Sequence, residues 1–365
     1  MIKLKKITGV LERQAPLSLQ ESYDNSGLQV GDPEMEISGI LIALDVTEEL
    51  LEEAVRLGFN LIISHHPVIF NGLKSLTGRT APERIVARSI REGIAIYSAH
   101  TNFDSIPEGV NKAMADRLGL KSLKILDARN DLLKKIVVFV PREQAEEVRQ
   151  AMFDAGAGQI GAYDQCSFNL EGSGTFRGQE GSDPFVGVPG ALHKEPETRV
   201  ETIVPSHLSN RVVQALLAAH PYEEVAYDIY PLENIAPGIG MGMLGELEDG
   251  MDEMVFLNFV KDRFGLSVIR HTELLGKEVK KVALCGGSGS FLMGKARASG
   301  ADVFITGDLK YHQFFDAEGE ILLMDIGHFE GEQFTRELFY DLLIKNFPKF
   351  AIRLSETDTN PIKYY

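Results

Sequence analysis

At both ends of the chain, short continuous apolar runs alternate with amphipathic helical segments, and this alternation leaves little freedom in the fold. Near the start, Ile40-Leu41-Ile42-Ala43-Leu44 runs up to Asp45. Thr47 follows at an N-cap position with Leu50, Ala54 and Leu57 at helical spacing, and Gly58 stops the helix. Asn60 to Ser64 is the next buried run, a helix around Pro82 to Arg91 follows, and Ile94-Ala95-Ile96-Tyr97 completes a βαβαβ pattern. Strands apolar along their whole length predict a parallel sheet covered on both faces. Ligands of such sheets collect beyond the carboxyl ends of the strands. His65 and His66 directly follow one strand, and His100 and Asp104 follow the next.

The C-terminal third repeats the plan. Val282-Ala283-Leu284-Cys285 reads as a strand, followed by a Gly/Ser-rich turn, a helix through Lys295 to Ala298, a stop at Gly300 and the strand Asp302 to Thr306. Setting Gly58 against Gly300 brings His65-His66 onto Gly307-Asp308. One strand later, Ile94 to His100 matches Leu322 to His328, and Asp104 falls opposite Glu332. A His-x-x-x-carboxylate therefore recurs in order in both halves, which points to an internal duplication.

Between the halves lies a different unit. Lys135 to Pro141 reads as a strand, Glu143 to Ala155 as an amphipathic helix and Tyr163 to Gly178 as a polar, Gly-rich hairpin region. Thr202 to Pro205, a helix from Ser206 to His220 and a strand from Val225 to Tyr230 complete it. Strand-helix-strand stated twice is the β-α-β-β-α-β pattern. The expectation is an α/β chain in which two Rossmann-like halves, 1–127 and 238–365, form one discontinuous domain, with a ferredoxin-like α+β domain, 128–237, inserted between them.

A length of 365 residues suits two or three domains, and 44% hydrophobic with 25% charged residues is an ordinary globular balance. The apolar runs are strand-sized, so no membrane span is expected. The basic start, Met1 to Lys6, lacks a following apolar stretch, so no secretory signal is expected. Cys166 and Cys285 are far apart with no motif around either, as in free thiols of a reducing compartment, and a cytoplasmic location is expected. A net charge of −16 argues against a nucleic-acid surface.

The histidines and carboxylates at the strand ends carry the chemistry. Adjacent residues leaving a strand point to opposite sides. Either a turn at Pro67 lets His65 and His66 reach one ion together, or each serves a different ion of a two-metal centre. If helical geometry already holds at His328, Glu332 lies one turn on and on the same face. Imidazole and carboxylate ligands suit zinc first, with manganese, iron or cobalt also compatible. A carboxylate can bridge two such ions. Other roles are open to several of these residues. Glu332 also fits the start of the last helix, expected from Gln333 to Asn346. Asp104 precedes a capping-box pattern, Ser105 to Glu108. Asp45 and Asp308 end strands at the same place. His193, His207, His220 and His271 read as surface or linker residues. The run Gly286 to Ser290 follows a strand as a phosphate cradle does, but lacks the nucleotide-loop pattern.

Several blocks resemble a known family, the dinuclear-metal hexamers related to yeast NGG-one-interacting factor three, labelled GTP cyclohydrolase I type 2. They are Tyr23 to Gly31, Leu44-Asp45-Val46-Thr47, Ile63 to Pro67, His100 to Asp104, Thr306-Gly307-Asp308 and Gly327 to Glu332. Tyr23 stands where a Trp is common, and Phe329 where many members carry another residue. The insert, ending in Ala219-His220-Pro221-Tyr222-Glu223-Glu224, is similar to that of the longer bacterial members, whose small domain is like the nitrogen-regulatory and copper-tolerance trimers.

The resemblance implies a homohexamer of two stacked trimers and two divalent metal ions per chain. It implies His65, His66, Asp104, His328 and Glu332 as ligands, with Glu332 a candidate bridge. The activity it implies is hydrolytic opening of a guanine ring with release of formate, for which His100 or His312 is available as proton donor. The alternative is a non-catalytic metal-binding assembly whose insert senses a small molecule or docks a partner. A coordination position left open to water would mark the first, and full protein coordination the second.

Overall fold

The computed structural model describes residues 2–236 and 238–365 and divides into two compact units, Met1–Asp127 with Gly238–Tyr365, and Ala128–Pro237. In the first unit, Ile40–Ala43 (β1), Leu61–Ser64 (β2) and Ala95–Ser98 (β3) lie side by side in parallel. All are buried, as strands with helices on both sides must be. Ile352–Leu354 extends this sheet parallel to β1, and Gly27–Val30 closes the other edge antiparallel to β3. Helix α1, Glu48–Leu57, starts where the Thr47 hydroxyl accepts the amide of Leu50, and stops at Gly58 in the left-handed conformation, φ 68°. Helix α2, Ala81–Glu92, leads into β3.

The second half of this unit repeats the arrangement. Glu278–Leu284 (β4), Val303–Thr306 (β5) and Leu322–Asp325 (β6) are parallel and adjacent, with antiparallel Arg270–His271 beyond β6 and Gly240–Asp252 beyond β4. The register of the repeat differs by one residue from the sequence alignment. Leu61 pairs with Ala95, and its counterpart Val303 pairs with Leu322, so Ala95 rather than Ile94 corresponds to Leu322. His100 is then the counterpart of Gly327, and both are N-cap residues of short helices, Thr101–Asp104 and His328–Glu332. A four-residue apolar strand has too little pattern to fix its register, so the sequence match slipped.

In the insert, four antiparallel strands run in the order Tyr227–Leu232, Leu133–Pro141, His193–Pro205, Ser167–Phe176. Helices Ala145–Asp154 and Ser209–Ala219 share a core with one face of this sheet. Ile136, Val138, Val140, Val200 and Val204 meet Val148, Met152, Val212 and Leu216 there. Strand alternation sends the intervening side chains to the opposite face. Among the described residues, no helix is long and apolar enough to cross a membrane.

Candidate metal centre

The carboxyl ends of β2, β3, β5 and β6 converge on a cluster of imidazoles and carboxylates. His65, at the end of β2, is fully buried, and its Nδ1 lies 2.8 Å from the carbonyl of Ala99. A carbonyl can only accept, so Nδ1 carries the proton and Nε2 presents a lone pair in the neutral ring. Among the described residues, that Nε2 has no hydrogen-bond partner. It faces Asp104 Oδ1 and Glu332 Oε1 across 3.7 Å each, beyond hydrogen-bond range. Asp104 Oδ1 is likewise buried and unpartnered. Burial, together with the charge of Glu332, raises the Asp104 carboxyl above its ordinary range.

His66 turns the other way. Its Nδ1 is held by Asp45 at 2.7 Å, and its Nε2 meets Glu332 Oε2 at 2.9 Å. His328 mirrors it, with Nδ1 on Asp308 at 2.7 Å and Nε2 at 3.0 Å from the same Glu332 oxygen. The two Nε2 atoms are 3.1 Å apart. Burial opposes protonation of both rings, but their carboxylate partners outweigh it and push His66 up to about 9 and His328 up to about 11. Burial also opposes ionisation of Glu332, yet the surrounding imidazoles hold it well below the ordinary carboxylate range.

Glu332 thus stands between two donor groups, His65 facing Oε1 with Asp104 beside it, and His66 and His328 on Oε2. Donor atoms of His65, Asp104 and Glu332 lie within 4.8 Å of one another, as do those of His66, His328 and Glu332. Orphaned lone pairs facing one another in the interior repel unless a cation lies between them, so this donor set fits divalent ions. His65 and His66 face opposite oxygens of Glu332, and both also lie within reach of His100, so the two arrangements that the doublet left open both have a geometric basis.

His100 completes a third grouping with His65 and His66. Its Nδ1 is held by Asp24 at 2.7 Å, and Asp24 also accepts from Ser26 and Thr101. Burial opposes ionisation of Asp24, but these bonds pull its carboxyl far below the usual range. His312 is not brought to the cluster. It is exposed on the turn Tyr311–Ala317, with its ring edge-on to Tyr311 and beside Phe315. Asp104 caps nothing: it ends Thr101–Asp104, and the next helix, Val110–Arg117, starts from Gly109. His220 is buried rather than on the surface.

The Gly/Ser-rich turn after β4 makes room for Glu332. A Cβ on Gly287, which has φ +59°, would lie 2.3 Å from Glu332 Oε1. Sequence reasoning had no means of assigning Asp24, Asp45 and Asp308 to particular histidines, because each pairing spans 20 residues or more. One local signal marks Asp308: it adopts φ 56°, a conformation Asp tolerates better than most residues.

A cavity of about 520 Å³ opens onto the cluster, lined by His66, His100 and His328 and walled by Phe70, Phe329 and Ile362. A second, of about 570 Å³, shares Asp308 and His328 and carries Arg270 and Lys310.

The chain is similar to several known proteins along nearly its whole length. A GTP cyclohydrolase 1 type 2 homolog of Halalkalibacterium halodurans is 43% identical over 321 residues, 87% of this chain and 86% of that protein. The Bacillus subtilis protein of the same name is 38% identical over 368 residues, 99% and 98% of the two chains. Among solved structures, a Bacillus cereus protein related to NIF3 matches with a TM-score of 0.80 at 40% identity, covering 100% of this chain and 99% of that one. The family model for Duf34/NIF3 (NGG1p interacting factor 3) matches residues 2–361, and the chain belongs to this family.

Proposed function

We propose that this protein is a metal-dependent hydrolase with a dinuclear centre, acting on a nucleotide or related small molecule of the kind its relatives' name, GTP cyclohydrolase 1 type 2 homolog, indicates. One observation carries the reading: a buried carboxylate, Glu332, spans two donor groups, one of which contains an orphaned imidazole nitrogen and an orphaned carboxylate oxygen. His65, Asp104 and Glu332 would hold one ion, and His66, His328 and Glu332 the other. Zinc, or manganese, iron or cobalt, would supply Lewis-acid polarisation and a more acidic water.

The chain's own groups supply the rest. Asp45, Asp308 and the Ala99 carbonyl fix the three imidazoles by Nδ1, so that each Nε2 points inward. Phe70, Phe329 and Ile362 give a flat ring an apolar bed beside the cluster. Lys310 in the adjoining cavity offers positive charge to phosphate, beside Arg270, whose guanidinium is already paired with Asp325. Asp24 holds Nδ1 of His100, which leaves Nε2 to hand a proton to substrate or take one from it.

The test is release of formate or phosphate from a nucleotide panel by protein of measured metal content. Formate release from GTP, lost on chelation and in His328→Ala, is expected. Absence of bound metal, with none acquired on reconstitution, overturns the proposal. Metal without turnover of any nucleotide supports instead a non-catalytic metal-binding assembly. Family membership also leads us to propose a homohexamer of two stacked trimers, for which light scattering should return the mass of six chains.

A further inference from the structure

A cavity of about 750 Å³ lies in the insert, in a different unit from the metal cluster. Its volume falls within the range of about 300–1,000 Å³ common for small-molecule sites. The cavity sits on the sheet face opposite the two helices, where Phe139, Glu197 and Arg199 project.

Glu197 is the unusual group. It comes from an inner strand and is only 8% exposed, and the Tyr222 hydroxyl donates to its Oε1 at 3.0 Å. The neighbouring cation is directed elsewhere: Arg199 pairs with Glu201 at 2.9 Å. Arg142, at the end of the adjacent strand, pairs with Glu171. Among the described residues, Glu197 therefore has no cationic partner. A buried carboxylate without one is costly to keep in a fold.

The surroundings are built to hold that carboxylate in place. A Cβ on Gly174 would fall 2.1 Å from Glu197 Oε2, so the glycine lets the carboxylate lie against the neighbouring strand. Buried His220 donates from Nε2 to the Phe139 carbonyl at 3.0 Å and accepts the Tyr222 amide on Nδ1 at 3.1 Å. This fixes the turn that brings Tyr222 over the sheet. Phe176 and Phe185 stand 5.9 Å and 6.3 Å from the Tyr222 ring. In the lining, Glu171, Glu197, Glu223 and Glu224 outnumber Arg177 and Arg199, so its charge is net negative.

We propose that this face of the insert binds a small organic cation, with Glu197 as its charge partner and Tyr222, Phe176 and Phe185 as its aromatic wall. A carboxylate beside aromatic faces satisfies a protonated amine or amidine twice, by ion pairing and by the negative potential of the rings. Tyr222 is a positioning residue: its hydroxyl orients Glu197. The proposal stands apart from the hydrolase reading, since none of its residues belongs to the metal cluster.

The test is isothermal titration of the full-length, metal-loaded protein with benzamidine and with its neutral isostere benzamide, at a salt concentration that screens the chain's net charge. Saturable benzamidine binding at one site per chain is expected, with benzamide at least tenfold weaker. Glu197→Gln should weaken benzamidine at least tenfold while melting temperature and metal content stay unchanged. Tyr222→Phe should weaken it several-fold and leave the preference for the charged ligand intact. Equal affinity for the two ligands, no saturable benzamidine binding, or full binding by Glu197→Gln overturns the proposal. Should Glu197→Gln fail to fold, the comparison of the two ligands on the unaltered protein decides alone.

Discussion

Each histidine around Glu332 has one nitrogen tied and one aimed inward, and this sets what single substitutions should do. His65 is the ring with an orphaned nitrogen, so His65→Ala removes no protein hydrogen bond from Nε2. It should halve the metal content, read by elemental analysis, without abolishing the thermal transition. His328→Ala should cost more metal, because it also frees Asp308 and exposes Glu332 Oε2. His100→Ala should keep most of the metal and lose hydrolytic activity; equal metal loss in both variants would sink the division of roles. The pH dependence follows from the raised histidines. In ion-free protein their folded values, about 9 and about 11, lie above an unfolded value near 6.5. Their stabilising contribution is therefore complete below about pH 6.5 and is lost as pH rises through the folded values. Ion-free protein should melt at progressively lower temperature from pH 7 to pH 10. Metal must displace the same protons, so metal binding near pH 7.5 should release about two protons per chain, measured by titration in buffers of different ionisation enthalpy. The doublet and the repeated histidine-carboxylate spacing made the cluster legible in the sequence. The Nδ1 partners were not, because a pairing such as His100 with Asp24 is made only by the tertiary fold.

At the scale of elements, the strand-helix alternation and its stops were legible because caps are local: Thr47, Gly58 and Gly300 sit where φ and side-chain chemistry require them. The register of the second half was not, and the one-residue slip has a chemical consequence. His100 precedes its helix, whereas His328 opens one, so only His328 lies a turn below a carboxylate on the same helical face. The segment between β4 and β5 carries a discriminating pair of glycines. Gly287 and Gly300 share a positive φ, but only at Gly287 would a methyl group meet Glu332, whereas at Gly300 nothing lies within 4 Å. Gly300→Ala should cost backbone strain of about 1 kcal/mol and leave the metal in place. Gly287→Ala should add displacement of Glu332 and weaken metal binding about 10–100-fold, the range seen when the support of a ligand is disturbed. Indistinguishable metal affinities for the two variants would show that the turn does not set the position of Glu332.

At the scale of the whole molecule, the six residues of the cluster all belong to one unit, although they come from both sides of the inserted segment. The insert has its own core, Ile136, Val138, Val200 and Leu216 among others, while Met114, Phe256, Val282 and Met324 belong to a separate core of the larger unit. The chain leaves the larger unit after the strand Lys121–Ala128 and returns to it in Gly240–Asp252, and these two strands are neighbours in one sheet. A short loop suffices to join adjacent strands. Replacing residues 128–237 by such a loop should therefore leave a folded protein that binds as much metal as the full chain, since neither the proposed ligands nor the groups that orient them lie in the removed segment. The β-α-β-β-α-β pattern made this insertion legible in the sequence, whereas its cavity was not, because that depends on how the turn carrying Tyr222 folds back over the sheet. Thermal melting, elemental analysis and benzamidine titration of the shortened chain together separate the two sites. The expected outcome is one cooperative transition, unchanged metal and no benzamidine binding. A folded, soluble shortened chain that has lost all its metal would show that the insert is needed to assemble the centre.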